Sequence, residues 1–228
     1  MRFEALHPWD LTPQEAIRLQ KGLSSRLLLQ DDFEKIQTVA GADLALDETK
    51  RIGRAGIIFF EYPSLKELGR ASAQAPLTFP YIPGLLSFRE GPILLKAFEK
   101  LKDLPDLILF DGQGIAHPRR FGIACHMGLL LDRPTIGCAK SRLCGEYQEP
   151  GPKRGSWSPL TDKGETIGAV LRTRDRVKPI FVSPGHRISL KTSIEIVLKC
   201  HNGFRIPKPT READRYVAQL SNKSSALS

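Results

Sequence analysis

Between Pro105 and Gly112 lies one short apolar run, Leu107-Ile108-Leu109-Phe110, and it ends on a carboxylate, Asp111. A run this short, with proline before it and glycine after it, reads as a buried strand. Asp111 then stands at the strand's C-terminal lip, where the chain opens into Gly112-Gln113-Gly114. In open α/β sheets ligands gather outside the carboxyl ends of the strands, and glycine lets backbone approach a ligand closely. By itself, Asp111 reads better as the cap of the turn that follows it.

The 228 residues suffice for a full core, so we expect a single domain over residues 1–220 and a polar, disordered tail at 221–228. Residues 1–110 hold 14 Lys/Arg against 15 Asp/Glu, whereas residues 111–228 hold 20 against 10, which accounts for the net charge of +9. The basic half therefore begins at Asp111. A field of that sign suits a polyanion, because each neutralised phosphate releases counterions; a basic surface kept for solubility would look the same. Cys125, Cys138, Cys144 and Cys200 include no Cys-x-x-Cys pair, and no adjacent histidine completes a zinc pattern. They are expected as reduced thiols of a cytoplasmic protein. No apolar stretch approaches the roughly 20 residues that a membrane helix needs, so no membrane partner is expected.

Thr12-Pro13-Gln14-Glu15 has the parts of a capping box. A helix should follow, with Ala16, Ile17, Leu23 and Leu27 near helical spacing, and it is assigned to packing rather than chemistry. Ile36 to Leu46 suits a first strand with Asp43 in its interior, Gly56 to Glu61 a second and Ala71 to Phe79 a third, together an antiparallel meander. A helix is expected from about Glu90 to Leu101, with Glu90 in a first turn where the helix dipole alone favours an acid. Gly122 to Leu131 follows as a helix, and Thr135 to Ala139 as a short strand ending at Lys140. Residues 141–165 read as an irregular basic segment carrying Trp157. Strands at Ile167 to Leu171 and Ile180 to Ser183, a helix from Ser189 to His201, and a last helix opened by Thr210 and carrying Asp214 complete the chain.

This order matches a mixed five-stranded α/β sheet with helices on both faces, the ribonuclease H-like arrangement. There strands one and four are neighbours, which sets Asp43 across from Asp111 at roughly 4.8 Å, one strand spacing. Two carboxylates that close repel, so one holds a proton or a cation lies between them. Glu90 and Asp214 could add oxygens, and an all-oxygen set favours Mg²⁺ or Mn²⁺ over zinc.

Several longer stretches resemble the endonuclease V family: Ala40-Gly41-Ala42-Asp43, the block from Phe79 to Pro92, the block from Phe110 to Arg120, Ile136 to Ser141, Val182 to His186 and Pro209-Thr210-Arg211. The resemblance covers roughly residues 35 to 220 and departs from the family pattern at Leu46 and Cys125. It implies a metal-dependent DNA repair endonuclease directed at deoxyinosine. Such an enzyme hydrolyses the second phosphodiester bond 3′ to the lesion and leaves 3′-hydroxyl and 5′-phosphate ends. It also implies that Asp43, Glu90 and Asp111 hold Mg²⁺, with Mn²⁺ able to substitute, that Lys140 stands beside the scissile phosphate, and that Asp214 belongs to the same catalytic set. By the same likeness Pro80, Tyr81, Ile82 and Pro83 form a wedge for the duplex, and Gly84, Leu86, Gly112 and Ile123 line a pocket for the extruded base.

The partner expected is inosine-containing DNA, duplex or single-stranded, met by a monomer. Arg119 and Arg120 are expected on the nucleic-acid backbone, while His117 reads either as a substrate contact or as a structural turn residue. An inosine-specific endoribonuclease of the same family would carry the same motifs. A non-catalytic binder of damaged DNA would not need the full set of acids. An actin-like phosphotransferase would want glycine soon after the first-strand acid, where Leu44-Ala45-Leu46 stands.

Overall fold

The structure is a computed structural model that describes residue 3 and residues 5–225. Helix α1 (Pro13–Leu23) begins at the expected capping box: the Glu15 amide donates to Thr12 Oγ1, and the Thr12 amide donates to the Glu15 carboxylate at 2.8 Å. The meander follows as β1 (Thr38–Asp47), β2 (Ile52–Glu61) and β3 (Glu67–Pro76). Next come α2 (Leu86–Phe98), β4 (Leu107–Phe110), α3 (Ile123–Leu131) and β5 (Thr135–Ala139). The chain ends with β6 (Trp157–Asp162), β7 (Glu165–Leu171), β8 (Ile180–His186), α4 (Leu190–Lys199) and α5 (Lys208–Ser225).

All of the strands share one sheet, in the order β3-β2-β1-β4-β5-β8-β7-β6. The five expected strands form one half of it in the ribonuclease H-like order, and the fold class is as anticipated. Among the described residues the strand count is corrected from five to eight, because β8, β7 and β6 extend the sheet beyond β5 by antiparallel pairing. β6 occupies part of the segment read as irregular. Its Ser158-Pro159 pair looks like a turn, but Trp157 to Leu160 lie opposite Leu171 to Gly168 of β7, and a proline is tolerated on an edge strand.

Three other boundaries shift. α2 begins four residues before Glu90, so Glu90 lies inside the helix and not at its start. α5 opens at Lys208, which puts Thr210 within it, buried and bonded to the Pro207 carbonyl at 3.2 Å instead of capping. α5 also runs to Ser225, into the stretch expected as a tail; residues 226–228 lie outside the described residues.

Side-chain alternation on the parallel strands β1, β4 and β5 splits the core in two. Ala40 and Ala42, Ile108 and Phe110 face α2 and α3, packing with Ile93, Leu94, Phe98, Ile123 and Met127. Val39, Leu107, Leu109, Ile136 and Cys138 face the other way, toward Ile194 and Val197 of α4. With period two, Asp43, Asp111 and Lys140 fall on this second face. α5 lies against it over β1: a Cβ at Gly41 would sit 2.0 Å from the Pro209 carbonyl oxygen, and one at Gly56 would sit 2.6 Å from Val217. Glycine at position 41 is what lets the start of α5 touch the strand.

Candidate active site

β1 pairs with β4 in parallel, and the last paired residues are Ala42 and Phe110. Asp43 and Asp111 are the next residue on each strand, so they stand side by side where the ladder ends. β4 pairs with β5 in parallel as well, and the residue after β5 is Lys140. Lys140 Nζ lies 2.5 Å from Asp111 Oδ2 and 3.6 Å from Asp214 Oδ2. The end of the β1–β4 ladder, the end of β5 and helix α5 thus meet at a single mouth.

Burial, reinforced by the charges of Asp111 and Asp214, pushes the Asp43 carboxyl up to about 7. Burial, together with Asp43 and Asp111, pushes Glu90 up to about 8. Glu90 is therefore electrostatically part of the cluster although it comes from the opposite layer of the fold. The preceding Arg89 clamps that part of α2, donating to both Glu48 carboxylate oxygens at 2.7 Å and to the Phe79 carbonyl at 2.7 Å. The donor set fits a hard divalent cation: every candidate ligand is a carboxylate oxygen, and the raised Asp43 and Glu90 carboxyls would be stabilised as carboxylates by a nearby positive charge. Among the described residues no group of three or more His, Cys, Asp or Glu side chains is gathered into a ready cage. Instead, the Lys140 ammonium bridges Asp111 and Asp214.

Beside this mouth opens a cavity of about 410 Å³, within the range of small-ligand clefts. All four pocket candidates, Gly84, Leu86, Gly112 and Ile123, line it, as do Tyr81, Ile82 and Pro83, and its wall runs on to Asp111 and Lys140. Neither α2 nor α3 has a side-chain cap at its N-terminus, where Leu86 and Ile123 are the first residues. Uncapped helix starts offer backbone N–H donors and positive dipole ends. Tyr81 is 67% exposed at the rim.

The structure turns His117, Arg119 and Arg120 inward, onto the protein. Gly84, at φ +80, offers one carbonyl to three donors: Gln20 Nε2 at 3.0 Å, His117 Nε2 at 3.0 Å and Arg119 Nη2 at 2.7 Å. Because His117 Nδ1 accepts from the Arg119 amide at 3.1 Å, its ring is the neutral Nε2–H tautomer. Burial and the neighbouring Arg119 hold it down at about 4. Arg120 is bound to Asp162 at 2.9 Å and Glu165 at 3.0 Å. His117 and Arg119 brace the 80–84 turn, and Arg120 ties the 111–122 loop to the β6–β7 hairpin.

Two polar features of the cavity wall were not anticipated from sequence. Gln20, on the helix assigned to packing alone, reaches the Gly84 and Phe121 carbonyls, both at 3.0 Å. Ser87 is joined to the fully buried His126 at 2.9 Å, and His126 to His7 at 2.6 Å. His7 Nδ1 must donate to the Pro8 carbonyl at 2.7 Å. With both rings neutral, His126 then donates to His7 and accepts from the Ser87 hydroxyl. The only sequence signal for these contacts is an uncharged polar residue amid apolar neighbours, which does not reveal its partners.

A ribonuclease H-like sheet with acids and a lysine at its central mouth, opening on a base-sized cavity, defines a nuclease. Residues 21–215 match the family model described as Endonuclease V. Endonuclease V of Methanothrix thermoacetophila is 52% identical over 213 residues, 93% of this chain and 94% of that protein. The crystal structure of Endonuclease V from Streptomyces avermitilis superposes with a TM-score of 0.90 at 38% identity, covering 95% of this chain and 96% of that one. Endonuclease V of Ciona intestinalis, solved in complex with a 24mer DNA containing an inosine followed by a ribo-adenosine, gives 0.82 at 30% identity, covering 92% and 97%. The chain belongs to the endonuclease V family.

Proposed function

We propose that this chain is a DNA repair endonuclease that captures inosine and hydrolyses the second phosphodiester bond 3′ to it, leaving 3′-hydroxyl and 5′-phosphate ends. The observation that carries the reading is the continuity of the cavity, from Tyr81 at its rim to Asp111 and Lys140 at its far wall. Base capture and phosphate chemistry share one wall.

Substrate approaches a strongly basic chain, and Tyr81 stacks on a base, offsetting part of the few kcal/mol that unstacking costs. Hypoxanthine brings a carbonyl where adenine has an amine. Phe88 and Ala124 already donate to the Leu85 and Gln113 carbonyls; the other N–H groups in the first turns of α2 and α3 would suit that carbonyl and would face adenine's amine as donor against donor. The His117 and Arg119 brace holds the Gly84 turn in place while the base enters.

Asp43, Asp111 and Glu90 would hold Mg²⁺, with Mn²⁺ as a substitute and Asp214 alongside. When bound, that ion supplies a more acidic water and positive charge for the phosphate. Lys140 can leave Asp111 for a phosphate oxygen and offset the charge that builds in the transition state.

The test is to incubate the protein and Asp111→Ala with an inosine-containing duplex, with and without Mg²⁺, and to map the nick. Cleavage without metal, or undiminished cleavage by the variant, would remove this mechanism. The endoribonuclease reading keeps one argument in its favour, the ribo-adenosine that follows inosine in the DNA bound to the Ciona protein. Oligonucleotides with deoxyribose or ribose around the cut separate the two.

A further inference from the structure

The loop between α4 and α5 reaches the same mouth from a side not used above. Arg205 sends Nη2 to the Lys140 carbonyl at 2.7 Å and to the Pro179 carbonyl at 2.8 Å, and its own carbonyl accepts from Thr173 Oγ1 at 2.5 Å. The guanidinium is thus held beside Lys140, near enough to Asp111 for that charge to act on it. Its partners are neutral carbonyls; no carboxylate ion-pairs with it among the described residues, and its buried Nε has no acceptor. A half-buried guanidinium without a counterion is destabilising until an anion reaches it.

The preceding residue points to the same ligand. Phe204 is 48% exposed, and the Arg211 guanidinium lies 3.9 Å from its ring centroid. Arg211 is itself fixed by Asn202 and Glu212, both at 2.8 Å. An exposed ring stiffened by a cation is a stacking platform for a nucleobase.

We infer that residues 201–207 form a second strand-binding element, in which Arg205 takes a phosphate next to the one addressed by Lys140 and Phe204 stacks on a neighbouring base. The inference rests on the nuclease reading above. If Arg205 served only to buttress the Lys140 backbone, its loss would act entirely through Lys140.

The experiment measures affinity for an inosine-containing oligonucleotide, without divalent metal, across a salt series. It compares the wild type with Arg205→Gln, Lys140→Gln, the double variant and Phe204→Ala. Each lost phosphate contact should flatten the logarithmic salt slope by about 0.7–0.9. Arg205→Gln should flatten it both in the wild type and on the Lys140→Gln background, and Arg205→Lys should restore it. Phe204→Ala should leave the slope alone and weaken binding about 5- to 150-fold.

An unchanged slope in Arg205→Gln, or no further change in the double variant, overturns the phosphate contact; wild-type affinity in Phe204→Ala overturns the stacking. To keep the test independent of how the variants fold, single methylphosphonate links are scanned through the oligonucleotide with wild-type protein. At least two different links should flatten the slope, and one alone overturns the second contact. Nicking by the wild type is assayed in parallel: its absence sinks the nuclease reading, whereas nicking with an unaltered slope in Arg205→Gln sinks only the loop.

Discussion

Lys140 Nζ lies 2.5 Å from Asp111 Oδ2, joining the residue after β5 to the residue after β4 across the central mouth of the sheet. The ammonium is well exposed, so little of the fold depends on it, and its partner is a proposed metal ligand. Lys140→Ala should lower the single-turnover nicking rate about 10²- to 10³-fold while shifting stability by no more than about 0.5 kcal/mol. Rapid-quench nicking alongside a urea melt reads both quantities. A variant that nicks at the wild-type rate would remove Lys140 from the chemistry.

Asp43 at about 7 and Glu90 at about 8 make stability depend on pH in a defined direction. Free carboxyls titrate near 4. Between roughly pH 4 and 8 the native chain therefore binds more protons than the unfolded one, and metal-free stability falls as pH rises through that window. Mg²⁺ held at the proposed site would replace those protons, so the Tm it adds should be small at pH 5 and large at pH 8. Asp43→Asn should raise Tm in EDTA at pH 8, at about 2–4 °C per kcal/mol relieved, and abolish nicking. Calorimetry with EDTA and with Mg²⁺ at the two pH values decides; an equal Mg²⁺ increment at both contradicts the argument.

His117 gives the opposite slope. Its folded value of about 4 lies below the free value near 6.5, so its contribution is complete above 6.5 and is lost as pH falls toward 4. His117→Ala removes one of three donors to the Gly84 carbonyl. It should cost about 0.5–1.5 kcal/mol and raise KM for inosine substrates more than it lowers kcat. A purely catalytic loss at unchanged KM would point to direct participation.

Tyr81 projects from the cavity rim with its ring largely in solvent. Tyr81→Ala should leave the melting curve unchanged and weaken binding to the inosine duplex by about 1–3 kcal/mol, with a smaller loss on non-specific duplex. Fluorescence anisotropy on matched duplexes checks this, and equal losses on both would deny it a part in lesion capture.

At Gly41 a methyl group has no room, since the Pro209 carbonyl oxygen stands 2.0 Å from where a Cβ would go. Gly41→Ala should push the start of α5 off β1, at a cost of about 1–3 kcal/mol. Asp214 travels with α5 and nicking falls with it. Chemical denaturation gives the first number and nicking assays the second; a variant as stable as wild type would mean that α5 is not seated by this contact.

Short-range signals are legible in the sequence. The capping box at Thr12, the strand Leu107 to Phe110 and the strand Thr135 to Ala139 each declare themselves within a few residues, because turn formers and apolar runs act over that range. The start of α2, four residues before Glu90, is not legible locally because it carries no capping side chain, the usual mark of a helix start. β6 is not legible locally because Trp157-Ser158-Pro159 is strand only by pairing with β7. Arg119 and Arg120 looked free because their partners, Gln20, Gly84, Asp162 and Glu165, are far away in the chain or across a loop.

What the amino-acid order determined by itself was the element types apart from β6, the identity of the acids, and the family likeness in the motifs around Asp43, Glu90, Asp111 and Lys140. Those properties are local, written in side-chain chemistry and short spacing. Only the tertiary structure decided that the acids share one mouth with Lys140 between two of them, that His117 and Arg119 brace a turn, and that Arg205 stands beside the reactive edge. Such facts depend on strand register and on which faces helices cover, and those are settled by packing between residues that the chain keeps far apart.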